Sequence, residues 1–177
     1  MKSDTAIKIA YQETRILELL DEPWQGSGFM YSIAPDLMIR EQLKPQRLLM
    51  AVNADKLYYF DPVNHVRHQG EMGSDQSISL NIAVFKALIT ADEALLKSMY
   101  QVEFSSKAQR WVMTLKPRQE SNSEFSIVVT GLRGQQVDTV IIKQTDGDLS
   151  EIMMQSNASG NQVKNTIMQL YKELEGK

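Results

Sequence analysis

Apolar positions between Gly28 and Asp61 alternate, yet they occupy both sides of each strand they predict. In GFMYSIAP the residues Phe29, Tyr31 and Ile33 alternate with Met30, Ser32 and Ala34. In RLLMAV, Leu48, Met50 and Val52 alternate with Leu49 and Ala51, and KLYYF sets Leu57 and Tyr59 against Tyr58 and Phe60. A strand with one wet face reads apolar, polar, apolar. Strands apolar on both faces need a cover on each side, or they line a cavity that an apolar molecule occupies.

The rest of the chain is arranged around that stretch. Ile7, Ile9 and Tyr11 alternate, which predicts a first strand running through Arg15 or a little beyond. Pro23 and the run Gln25-Gly26-Ser27-Gly28 predict a loop after it. Leu37 to Leu43 resumes the strand pattern, and Asn53-Ala54-Asp55 reads as a hairpin turn. From Asp75 to Tyr100 the period changes: Ile78, Ile82, Phe85, Leu88, Ile89, Leu95, Leu96 and Met99 recur at three and four. That predicts a helical insertion, its second helix opened by Asp92-Glu93 and capped by Thr90 or Asp92. Period two then returns in Val102 and Phe104 (before a polar turn Ser105-Ser106-Lys107), in Trp111, Met113 and Leu115, in Phe125, Ile127 and Val129, and in Val137, Thr139 and Ile141. The turn Asp146-Gly147-Asp148 leads to a last strand, and after a loop over 157–161 one apolar stripe, Val163, Ile167, Leu170, Tyr171 and Leu174, makes a terminal helix. The expected fold class is α+β, mainly β: a curled antiparallel sheet of about nine to eleven strands with inserted helices, in one domain spanning 1–177.

Composition narrows the function classes. A net charge of −3 without charged tails gives no footprint for nucleic acid. With no cysteine, thiol catalysis, thiolate metal sites and disulfides are excluded. No apolar run reaches the roughly 20 residues of a membrane-spanning helix. His65 and His68 sit three apart, but no further His or Cys completes a zinc set, so they read as exposed turn residues. Neither a nucleophile elbow nor a phosphate loop is present; GLRG and DGD read as turns. Glu13 with Arg15, and Arg40 with Gln42, point the same way on their strands, and a solvated ion pair is the favoured reading of the first two. Ten methionines stand out, since thioethers mould to irregular apolar shapes. Met30, Met38, Met50, Met113, Met153 and Trp111 are either core or cavity lining.

An ordered set of segments resembles the periplasmic outer-membrane lipoprotein carrier family, in its divergent LolA-like branch. It comprises Tyr11-x-Glu13-x-Arg15, Gly28-x-Met30-Tyr31, Ala34-Pro35-Asp36-Leu37, Asp55-Lys56-Leu57, Asp61-Pro62, Ala91-Asp92, Tyr100-Gln101-Val102, Trp111-x-Met113-x-Leu115-x-Pro117, Ile127-x-Val129-x-Gly131 and Gly147-Asp148. The resemblance implies an incomplete β-barrel of LolA/LolB type, with a helical lid over an apolar cavity and no catalysis. It implies a chaperone of Gram-negative bacteria that binds acyl chains of lipoproteins or free lipid and carries them toward the outer membrane. An inner-membrane donor and an outer-membrane acceptor are the partners it implies, for a monomer without cofactor or metal. A periplasmic location then requires a leader already removed, because MKSDTAIKIAYQETR has no apolar h-region. The cavity residues expected are Met30, Met38, Met50, Tyr58, Trp111, Met113 and Phe125, and the lid residues Phe85, Leu88, Leu95 and Leu96. Ala34 stands where the family carries the basic residue that latches its lid. Two rival readings share the scaffold. One is an accessory protein or enzyme of lipid or pigment biosynthesis, with Glu13, Arg15, Arg40 and Tyr59 as its polar groups. The other is a docking protein with a filled core.

Overall fold

The computed structural model describes residues 5–33, 36–71, 84–88, 92–118 and 125–177, apart from the side chains of Ser156 and Asn157. Eleven strands form one sheet: β1 (Ala6–Ile16), β2 (Trp24–Ile33), β3 (Leu37–Lys44), β4 (Leu48–Asn53), β5 (Lys56–Asp61), β6 (Val66–Glu71), β7 (Tyr100–Lys107), β8 (Arg110–Pro117), β9 (Phe125–Leu132), β10 (Val137–Gln144) and β11 (Leu149–Ser159). The order β6-β5-β4-β3-β2-β1-β11-β10-β9-β8-β7 leaves the sheet unclosed, with β6 and β7 as its edges. The ladders from β2 to β6 and from β11 to β7 are antiparallel. Among the described residues three helical segments accompany it: α1 (84–88), α2 (Glu93–Met99) and α3 (Asn161–Glu175). The mainly β class and the upper strand count expected from the sequence hold. Ile78, Ile82, Ile89, Thr90 and Ala34 lie outside the described residues.

Several boundaries differ from expectation for local reasons. β2 begins at Trp24, through the predicted loop, because Gly26 lets the indole of Trp24 lie across it. A Cβ on Gly28 would strike the carbonyl of Glu41, where the register of β2 against β3 shifts. β7 absorbs Ser105-Ser106-Lys107, and the turn falls one residue later at Ala108, whose φ is 55°. β6, with the polar sequence VRHQGE, is wholly exposed and was not signalled by period. His68 lies on that strand rather than in a turn, while His65 takes a turn conformation at φ 55°.

Contacts group the chain into two compact units. The first contains the residues up to Tyr11, Ser27–Ala91 and Ser156–Lys177, and the second contains Gln12–Gly26 and Asp92–Gln155. In the first unit, opposed residues place Phe29, Tyr31, Ile33, Leu37, Ile39, Glu41, Leu49, Ala51, Tyr58 and Phe60 on one face. α3 covers that face with Val163, Ile167, Leu170 and Leu174, all buried. Charged and polar contacts fix the helix there. Arg47 bridges both oxygens of Glu173 and reaches Glu41 Oε1 at 3.2 Å, while the Tyr31 hydroxyl donates to Glu41 Oε2 at 3.3 Å. The Tyr171 hydroxyl accepts from Asn53 and donates to Tyr58, each at 3.0 Å. Arg67 donates to the carbonyls of Glu173 and Leu174, closing the helix C-terminus, where positive charge is favoured.

In the second unit one face is the more apolar, and the other mixes polar residues with the half-buried Val112, Val128 and Ile141. Tyr100, Val102, Phe104, Trp111, Met113, Leu115, Phe125, Ile127, Val129, Val140, Ile142 and Ile152 share the apolar face. Gln101, Glu103, Lys116, Thr114, Thr130 and Lys143 lie on the other, where Arg110 pairs with Asp138 at 2.9 Å. α2 is capped as expected: Asp92 Oδ1 accepts from the Leu95 N–H at 3.0 Å, and Glu93 pairs with Lys97 one turn on.

Candidate functional site

With one face of the first unit filled by α3, the opposite face holds the candidate site. Register places Met30, Arg40, Met50, Tyr59 and His68 in one row across β2–β6, and Ser32, Met38, Val52, Leu57 and Gly70 in the next. Residues opposed in this way stand about 4.5–5.5 Å apart at Cβ, so the three methionines and Val52 form a continuous soft surface. Met30, Met38 and Val52 are buried, while Met50, Leu57 and Tyr59 are half-buried. α1 belongs to the same unit and buries Val84, Phe85 and Ala87.

Arg40 brings a positive charge into the methionine row. Its Nε donates to the Tyr11 hydroxyl at 3.1 Å, and its guanidinium carbon lies 4.8 Å from the Tyr11 ring centroid. A cation held over a buried aromatic keeps its place while the neighbouring thioethers adapt. Beyond the row, Asp61 accepts from Gln46, Val63 and Asn64. Those bonds, with Asn64 foremost, hold the Asp61 carboxyl below the usual carboxylate range.

The expected cavity residues fall in both units. Met30, Met38 and Met50 share the methionine face, whereas Tyr58 points to the other face, 5.4 Å edge-on to Tyr171 of α3. Its phenol, bonded to Tyr171, is pushed up to about 12. The residue of KLYYF on the methionine face is Tyr59. Trp111, Met113 and Phe125 lie on the apolar face of the second unit. There Trp111 stacks on Phe104 at 6.3 Å, lies over Gly131, and donates its indole N–H to the Leu132 carbonyl at 3.1 Å. The expected lid residues divide as well: Phe85 (buried) and Leu88 (half-buried) are in α1 of the first unit, and Leu96 (buried) and Leu95 (half-buried) in α2 of the second. Met153 lies off the second unit's apolar face and is 41% exposed.

Glu13 corrects an expectation. It is buried at 3% exposure, not a solvated edge residue, and takes a hydrogen bond from Arg15 Nε at 2.7 Å. Arg15 in turn lies 4.7 Å over the Trp24 ring. Among the described residues no group of three His, Asp or Glu converges as a metal site would. The sequence reading missed Tyr100, buried on the apolar face of the second unit and pushed up to about 12 by desolvation.

No protein-family model matches the sequence, and no curated protein matches it. Solved structures do. A LolA superfamily protein of Nitrosomonas europaea superposes with a TM-score of 0.52 at 10% identity, covering 88% of this chain and 86% of that one. A domain described as an outer membrane lipoprotein-sorting protein, from Vibrio parahaemolyticus, gives a TM-score of 0.48 at 10% identity over 94% and 92% of the two chains. The first likeness shows the fold: this chain has the unclosed antiparallel sheet of a LolA superfamily protein.

Proposed function

We propose that the protein is a non-catalytic carrier that shields acyl chains of lipoproteins or free lipid and moves them through the periplasm toward the outer membrane. One observation carries the reading: the sheet of the first unit has a second apolar face, rich in methionine, after α3 has filled the first. Met30, Met38 and Val52 on that face are buried, so the face has a cover, and a cover that moves opens it to an acyl chain. The LolA fold supports the same direction, since the Nitrosomonas neighbour belongs to that superfamily.

Shielding supplies the affinity. Each CH₂ withdrawn from water contributes about 0.8 kcal/mol, so a single long chain is enough, and thioethers accept chains of differing shape. Release comes from movement of the cover, for which Phe85 and Leu88 of α1 and Leu95 and Leu96 of α2 are the candidates, and from hand-over between an inner-membrane donor and an outer-membrane acceptor. The chain acts as one domain and as a monomer. Native mass spectrometry of protein purified from its host's membrane fraction tests the proposal. Adducts with the masses of lipids or acylated protein are expected; a bare polypeptide that also fails to displace a fluorescent fatty acid from buffer overturns it.

A further inference from the structure

Tyr100 opens β7 directly after α2, which packs on that strand, and its side chain is 1% exposed. Its opposition to Pro117 places it in the end row of the apolar face of the second unit, with Phe125 edge-on at 6.3 Å and 74°. Its Oη has no hydrogen-bond partner among the described residues. Burying a hydroxyl without a partner is unfavourable, and a phenylalanine would fill this place at lower cost. Such an atom therefore needs a reason. The other aromatic donor on the face is accounted for, because the Trp111 indole N–H is taken by the Leu132 carbonyl.

We infer that the Tyr100 phenol donates a hydrogen bond to the carbonyl oxygen at the head of a bound acyl chain, so that the carrier selects esters and acids over plain hydrocarbon. The inference rests on the carrier reading and concerns the second unit by itself, as an acyl contact additional to the methionine face of the first. A phenol is protonated and a donor at physiological pH, and its burial away from water strengthens the bond it gives. Its place beside α2 means that the carbonyl arrives where helix and strand meet, with Val102 and Leu115 in the next row for the start of the chain.

The test is competition against a fluorescent fatty acid bound to wild-type protein and to Tyr100→Phe, using methyl laurate and dodecane as competitors. Methyl laurate is expected to bind Tyr100→Phe about 10-fold more weakly than wild type, the yield of one hydrogen bond. Dodecane should compete equally against both, and the melting temperature of Tyr100→Phe should equal or exceed that of wild type. Equal affinity of methyl laurate for both proteins overturns the inference and leaves the carrier reading intact. A lowered melting temperature overturns it too, since the phenol would then have a structural partner. If wild type binds no probe at all, the carrier reading fails and takes this inference with it.

Discussion

Strands β2–β5 and strands β8–β10 are built from the same antiparallel pairing, yet they treat their two faces differently. In β8–β10, Leu115, Ile127, Val129 and Val140 are fully buried on one face, and the reverse face mixes Thr114, Lys116, Thr130 and Lys143 with the half-buried Val112, Val128 and Ile141. In β2–β5 the face bearing Ile39 and Leu49 is just as buried, but the reverse carries Met30, Met38 and Val52, also buried. In one region the second face is half-buried at most and carries exposed lysines. In the other the chain itself buries the second face around Met30, Met38 and Val52. The comparison teaches that a two-sided strand demands two covers: α3 supplies one, and on the carrier reading the cover over Met30, Met38 and Val52 is the one that moves.

The largest effect should come from putting a charge under α3. Ile39→Asp places an unpaired carboxylate at a fully buried position and is expected to cost on the order of 4 kcal/mol or more, whereas Thr114→Asp on the wet face of β8 should stay within about 0.5 kcal/mol. Urea unfolding of the two variants reads the contrast, and similar losses for both would break it. Next in size, Ile127→Ala should cost about 2–5 kcal/mol through the cavity it leaves. Ile141→Ala, half-buried on the opposite face of the same region, should cost much less.

A smaller effect belongs to the bridge that holds α3. Arg47→Met removes the partner of Glu173 and Glu41, and because the pair is partly exposed the expected loss is about 1–2 kcal/mol. Arg47 holds the Glu173 carboxyl below its usual range. A lowered folded-state value stabilises the fold above the unfolded glutamate value near pH about 4.3. The contribution then disappears as pH falls below it through the lowered value. Wild type should therefore lose part of its stability on acidification across that window, and Arg47→Met should lose less. Parallel pH profiles of the two proteins would contradict the assignment. Smallest for stability is Met50→Ala on the methionine face, half-buried and expected to cost about 1 kcal/mol or less.

Much of this was legible in the chain. Alternation from Val102 to Ile141 located β7–β10 because one wet face leaves a clean period of two. The stripe from Val163 to Leu174 located α3, and Asp92-Glu93 located the capped start of α2. Two-sided strands hide their own parity, which is why Tyr58 was grouped with the methionines although Tyr59 shares their face. β6 left no signal, since an exposed edge strand with VRHQGE buries nothing periodic. The burial of Glu13 and the unpartnered phenol of Tyr100 depend on neighbours distant in sequence, which no local pattern reports.

The account stands on the methionine face as the seat of cargo, and titration of an environment-sensitive fluorescent fatty acid against wild type, Met50→Asp and Thr114→Asp tests it most directly. Saturable binding is predicted for wild type and Thr114→Asp, with Met50→Asp folded but weaker by about 10-fold or more, the apolar contact of one side chain lost. Saturable binding undiminished in Met50→Asp, or none to folded wild type, would contradict it.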